Sequence, residues 1–167
     1  GSAWKPCAKL WDNAQDACCG CPAMSRVPPE IFKAYDVRGI VGKTLTPEIA
    51  ELIGRAVGSQ ARALNQTRVC IGRDGRLSGP SLCAGLARGL QAAGVDVVDV
   101  GQVATPMLYF ATIHLQTGSG VMVTGSHNPP NYNGFKMVLA GDAIYGDTIT
   151  GLYDSIQKDE AVSAVTP

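Results

Sequence analysis

The 167-residue chain of 17.4 kDa carries 14 basic and 14 acidic side chains, 46% hydrophobic residues and only 17% charged ones. That balance describes one folded domain with room for a core, and it excludes a disordered segment or a protein that coats nucleic acid by charge. No apolar run approaches the ~18 residues of a membrane span, and the N-terminus lacks a signal peptide's apolar centre, so the expected location is the cytoplasm.

The chain opens on a cysteine-rich leader, residues 1–23. Cys7 and the cluster Cys18-Cys19-Gly20-Cys21 lack the two separated Cys-x-x-Cys pairs of a structural zinc site. Gly1-Ser2 resembles a cloning remnant and Met24 a natural start, so the leader is set apart from the fold, with a short helix over Trp4 to Trp11 left open. Organised sequence is expected over residues 24–158, and residues 159–167 read as the start of an interdomain linker.

Within Tyr35-Asp36-Val37-Arg38-Gly39 a buried strand carries an arginine, which such a strand tolerates only where the guanidinium meets an anion. Thr46-Pro47-Glu48 is a helix start, with a capping hydroxyl, a proline at the first position and an acid against the dipole. Ile49, Leu52, Ile53, Ala56, Val57 and Leu64 then recur at helical spacing. Arg68 to Gly72 predicts a buried strand, residues 73–79 a loop, and Pro80 opens a helix with Leu82, Leu86 and Leu90 in line, closed by Gly94.

Val95 to Val100 is the next strand. Thr105-Pro106 opens a helix to about Leu115, with His114 a surface or capping histidine, and Gly120 to Val123 is the third strand. Phe135 to Leu139 returns after a short loop as the second arm of a hairpin, and a last helix runs from Asp147 to Ile156. Strands alternating with helices predict an α/β fold, a three-layer αβα sandwich around a mixed, largely parallel sheet. Asp96 and Asp99 face opposite ways along a strand and cannot share a metal.

The loop 124–130, Thr-Gly-Ser-His-Asn-Pro-Pro, hangs from the end of the third strand. The carboxyl ends of strands are where ligand sites gather in such folds. Its residues also make good turn chemistry, so the spacing by itself leaves both roles open. Ser126 needs a base or a phosphate donor to react. His127 is adjacent, but neighbours on an extended chain point apart, and no Gly-x-Ser-x-Gly elbow is present, which disfavours a serine hydrolase. A phosphoserine fits better, since its charge of about −1.5 to −2 calls for cations such as Lys136, Arg38, Arg73 and Arg76.

Taken together, Tyr35 to Gly39, Gly72-Arg73-Asp74-Gly75-Arg76-Leu77-Ser78-Gly79 and Thr124 to Pro129 with Lys136 resemble the α-D-phosphohexomutase family, and within it the N-terminal domain of the bacterial phosphomannomutase/phosphoglucomutases. Phosphoglucosamine mutases are similar too, but typically have alanine where Gly125 stands. The resemblance implies that Ser126 is a phosphoserine exchanging its phosphoryl group with hexose 1- and 6-phosphates through a bisphosphorylated sugar, glucose 1,6-bisphosphate for glucose. It implies catalytic roles for Ser126, Arg38, Lys136 and His127, substrate contacts from Tyr35 and Asn128, and support of the site by Arg73, Asp74 and Arg76. Mg2+ would be held by phosphorylated Ser126 and by aspartates absent from this chain.

The family has four domains, and its aspartate-rich, sugar-selecting and second phosphate-binding loops have no counterpart here. The expectation is therefore one domain of a larger enzyme, inactive by itself, with an apolar face exposed where missing domains would pack and weak self-association as a result. No nucleic-acid or membrane partner is expected. The reading from another class is a non-catalytic binding module with a metal-binding cysteine-rich leader.

Overall fold

The computed structural model describes residues 27–158. The leader with its four cysteines, Met24 and the linker lie outside the described residues. The first long element, α1 (Pro47–Ala63), starts as its sequence demands: the Thr46 hydroxyl accepts the Ile49 N–H at 3.3 Å, and Pro47 occupies a position with no N–H to satisfy. It buries Ile49, Ala50, Ile53, Ala56, Val57 and Ala61. Leu64, expected on the same face, caps the helix and is 49% exposed.

Against α1 lies α2 (Gly79–Ala92), and the two helices touch through their backbones. A Cβ on Gly54 would overlap the Leu86 carbonyl oxygen, one on Gly85 that of Pro47, and one on Gly89 that of Glu51. Glycine is required here by the closeness of the approach rather than by any unusual dihedral.

Five strands form the main sheet in the order β1-β5-β4-β2-β3, with a short sixth paired to β5. They are β1 (Val37–Ile40), β2 (Arg68–Arg73), β3 (Asp96–Gln102), β4 (Gly120–Val123), β5 (Tyr132–Leu139) and β6 (Asp142–Ala143). The sheet is mixed, with parallel pairing confined to β4-β2-β3 and antiparallel pairing of β5 with β4, β1 and β6. Residues 124–131 between β4 and β5 are too few for a crossover, so the chain must turn back on itself as a hairpin. β5 begins three residues before the expected Phe135, because Tyr132, Asn133 and Gly134 pair with β1.

Alternation along the strands sorts the two faces. Val37, Val69, Ile71, Val121, Val123, Phe135, Met137 and Leu139 join the large core with α1, α2 and α4 (Asp147–Gln157). On the other face α3 (Thr105–His114) lays Leu108 on Cys70 and Met122. Helices on both faces give the three-layer αβα sandwich expected from the sequence. The outer side of α3 is apolar as well, with Met107, Phe110 and Ile113 58, 63 and 77% exposed. Among the described residues no helix is long and apolar enough to cross a membrane.

Candidate active site

β2 and β4 run parallel and end side by side, with Arg73 opposite Val123. The loops that leave them, 74–78 and 124–131, therefore meet at one edge of the sheet. Asp74 joins them. Its Oδ1 accepts the Arg76 N–H at 3.0 Å, while Oδ2 accepts the Thr124 hydroxyl at 2.9 Å and the Gly125 N–H at 3.0 Å. Thr124 in turn accepts the Ser126 N–H at 2.9 Å.

Arg76 fills the inside of the second loop. Its guanidinium donates to the carbonyls of Pro129 (2.6 Å), Tyr132 (2.9 Å), Ser126 (3.2 Å) and Asn128 (2.6 Å), with Asp74 Oδ2 3.6 Å from Nε. A glycine at 125 is needed because a Cβ there would coincide with that guanidinium. Asn128 closes the turn, its side-chain amide and its backbone N–H both reaching the Gly125 carbonyl at 2.9 Å.

Held this way, Ser126 sits in the left-handed region with φ 50° and is exposed. Few residues other than glycine adopt that region, and its local cost of roughly 1 kcal/mol is carried by the bonds around it. The bend also overturns an expectation. Ser126 is not extended, and its Oγ lies 3.3 Å from His127 Nδ1. Among the described residues His127 has no other hydrogen bond, so no third group orients it as a base.

The cations come from the strands. Arg38 on β1 and Lys136 on β5 alternate with the core residues Val37, Phe135 and Met137, which places both on the α3 side of the sheet. Arg38 reaches the serine loop through Nη1 to Asn128 Oδ1 at 3.4 Å. Both cations converge on Asp36 Oδ2, Arg38 Nη2 at 2.6 Å and Lys136 Nζ at 3.6 Å.

Of the sequence-predicted residues, Ser126, His127, Asn128, Arg38, Asp74 and Arg76 form one connected network, and Lys136 joins it through Asp36. Arg73 does not. Its stem packs on Gly79 and its nearest charge is Asp99 at 3.9 Å, on the α2 side of the sheet. The sequence expectation places Arg73 in one loop with Arg76, but Arg73 is the last residue of β2 and keeps the strand's alternation, so it falls on the α2 side, away from the serine loop. Tyr35 stands 76% exposed beside Asp36. Asp36 and Thr124 were given no role from the sequence. Asp36 directly precedes β1, two residues before Arg38, a spacing that brings both to one side of an extended chain.

The arrangement offers an exposed hydroxyl in a preformed loop with an imidazole 3.3 Å away, Arg38 joined to that loop through Asn128, and Lys136 joined to Arg38 through Asp36. Among the described residues no three His, Cys, Asp or Glu side chains group as a metal site.

Residues 29–163 match the family model described as phosphoglucomutase/phosphomannomutase, alpha/beta/alpha domain I. A phosphoglucomutase of Neisseria meningitidis is 56% identical over 141 residues, 84% of this chain and 31% of its own length. The phosphomannomutase/phosphoglucomutase of Pseudomonas aeruginosa is 52% identical over 139 residues, 83% of this chain and 30% of its own. A crystal structure of a phosphoglucomutase/phosphomannomutase family protein from Burkholderia thailandensis superposes with a TM-score of 0.76 at 53% identity, covering 80% of this chain and 31% of that one. This chain thus spans under a third of the length of these relatives.

Proposed function

Because this chain belongs to the phosphoglucomutase/phosphomannomutase family as its alpha/beta/alpha domain I, we propose that Ser126 is the phosphate carrier of a hexose phosphate mutase. The observation that carries this reading is the Ser126 hydroxyl held out on a left-handed turn by Asp74, Thr124 and Arg76. Such a turn presents the oxygen without any substrate to order it, which suits a group that must both accept and give a phosphoryl unit.

The phosphoserine transfers its phosphoryl group to a hexose 1- or 6-phosphate and regains one from the bisphosphorylated sugar. In a loose transition state charge spreads over the transferred oxygens, and fixed cations are the main protein contribution. Arg38 and Lys136 meet that charge. They also assist proton movement, while His127, 3.3 Å from Oγ, touches the reacting group and shapes the loop, Asn128 links Arg38 to the loop, and Tyr35 borders the sugar. Asp74 and Arg76 keep the loop in shape.

Magnesium prefers six oxygen ligands in near-octahedral array. The described residues do not supply that set: Asp74 is committed to the loop and Asp36 to the two cations. This lack supports the expectation that the 167 residues do not turn over hexose phosphate unaided. A cytoplasmic location fits a substrate of this kind.

The test is intact-mass measurement of the protein before and after incubation with glucose 1,6-bisphosphate and magnesium, with peptide mapping. The expected result is one phosphate, on Ser126, and none in a Ser126→Ala variant. An equal gain by that variant would refute the assignment.

A further inference from the structure

We propose that Asp36 is a positioning residue of this site: a buried carboxylate that gathers Arg38 and Lys136 onto one oxygen and holds both cations toward the serine loop. The pairing stands on geometry alone. What the two cations then act upon rests on the reading above.

Three features converge on it. In the β1/β5 ladder Val37 lies opposite Phe135 and Arg38 opposite Gly134, and Asp36, the residue just before β1, comes within 3.6 Å of Lys136, the residue just after Phe135. A Cβ on Gly134 would overlap the Val37 carbonyl oxygen, so the missing side chain lets β1 come close enough for the short carboxylate to span the strands. The Asp36 side chain is only 9% exposed, against 26% for Arg38 and 32% for Lys136, and both of those cations use the same Oδ2.

A carboxylate this buried is tolerated only when paired, and here it is paired twice. Two cations side by side repel one another, and the shared anion offsets that repulsion. Arg38 is also tied to Asn128 Oδ1, so Asp36 and Asn128 together fix its guanidinium from two sides. Among the described residues Lys136 pairs with Asp36 alone, so its placement depends on this one carboxylate. Replacing the carboxylate by an amide leaves the ammonium beside Arg38 with nothing between them, and the flexible four-carbon stem swings outward.

The experiment reads Lys136 itself. The 167-residue protein and its Asp36→Asn and Asp36→Glu variants are treated briefly with a limiting amount of acetic anhydride, and acetylation at each lysine is quantified by peptide mass spectrometry. Exposed Lys33 and Lys43 serve as internal references. In Asp36→Asn the Lys136 signal should rise about three- to fivefold relative to them, the factor for loss of one part-buried ion pair, and Asp36→Glu should restore the protected ratio. An unchanged ratio in a cooperatively melting Asp36→Asn protein would overturn the pairing. Should that variant not fold, Arg38→Gln decides: it leaves Asp36 to Lys136 alone, so the ratio should fall, and a rise would overturn the pairing.

Phosphate gained at Ser126 from glucose 1,6-bisphosphate should drop in Asp36→Asn and recover in Asp36→Glu. Undiminished gain with Lys136 released would overturn the positioning role. Absence of phosphate from the wild-type protein would instead count against the functional reading, with the acetylation result unaffected.

Discussion

Replacing Arg76 by methionine keeps an unbranched stem of similar reach and removes the guanidinium. Four carbonyls lose a charged donor at 2.6 to 3.2 Å, those of Ser126, Asn128, Pro129 and Tyr132. A hydrogen bond to a charged group contributes ~1.5–3 kcal/mol where nothing replaces it. Water reaches this exposed loop once the guanidinium has gone, so a net ~1 kcal/mol for each bond, or ~4 kcal/mol in all, is the better figure. At ~3 °C per kcal/mol for a domain of this size, the melting temperature should fall by roughly 12 °C. Thermal melts give the total, and hydrogen exchange gives the location, with faster exchange at residues 125–132 and an unchanged sheet. The control is Arg73→Met, whose lost partner is half-exposed Asp99 at 3.9 Å, a pair worth less than ~1 kcal/mol. Equal losses from the two variants, or an Arg76→Met protein with native melting and native exchange in the loop, would refute the clamp.

Gly125→Ala should reproduce the Arg76→Met exchange pattern although no hydrogen-bonding group is deleted, because the new methyl occupies the guanidinium's place; native exchange in residues 125–132 would contradict this. Gly89→Ala forces α1 and α2 apart at the Glu51 carbonyl and should cost about 1–3 kcal/mol by denaturant titration, whereas Gly151→Ala, inside α4 with the Gln60 side-chain nitrogen at ordinary contact distance, should stabilise by roughly 0.5–1 kcal/mol. Burial, with a smaller contribution from Asp99, pushes the Cys83 thiol up to about 12 from its usual 9.0. The unfolded chain therefore loses this proton first, so Cys83 contributes stability below pH 9 that is lost as the pH rises toward 12. Cys83→Ala should flatten that part of the stability curve, and burial's upward shift of Tyr109, common to both proteins, cancels in the comparison; parallel curves would contradict the assignment.

Much of the fold was legible because its elements announce themselves locally. Thr46-Pro47-Glu48 caps α1 through the bond its sequence calls for, and the apolar runs of β2 and β4 are buried throughout their hydrophobic positions. β1 and the start of β5 were harder, since Tyr132, Asn133 and Gly134 are strand residues only by virtue of the partner they find in β1. The α1/α2 contact was hidden for a related reason: glycines spaced along two helices declare an interface only once both helices are placed.

The serine loop was visible as a motif, and its neighbourhood was not. Periodicity was enough to put Asp36 and Arg38 on one face, yet that they meet Lys136 depends on strand register. The separation of Arg73 from Arg76 depends on where β2 ends, a boundary that composition leaves loose by a residue or two. The left-handed turn at Ser126 had no sequence signal at all, because serine is not a residue that advertises it.

The guanidinium inside the serine loop belongs to a residue fifty positions earlier than the serine. The loop's shape is therefore inherited from the turn between β2 and α2, and it can form only after β2 and β4 have paired. Without that long-range closure the segment carrying Ser126 lacks the guanidinium and the carboxylate that shape it. Order in this loop therefore depends on a long-range closure rather than on the loop's own residues, so a substitution in the β2–α2 turn can disable a serine it never touches.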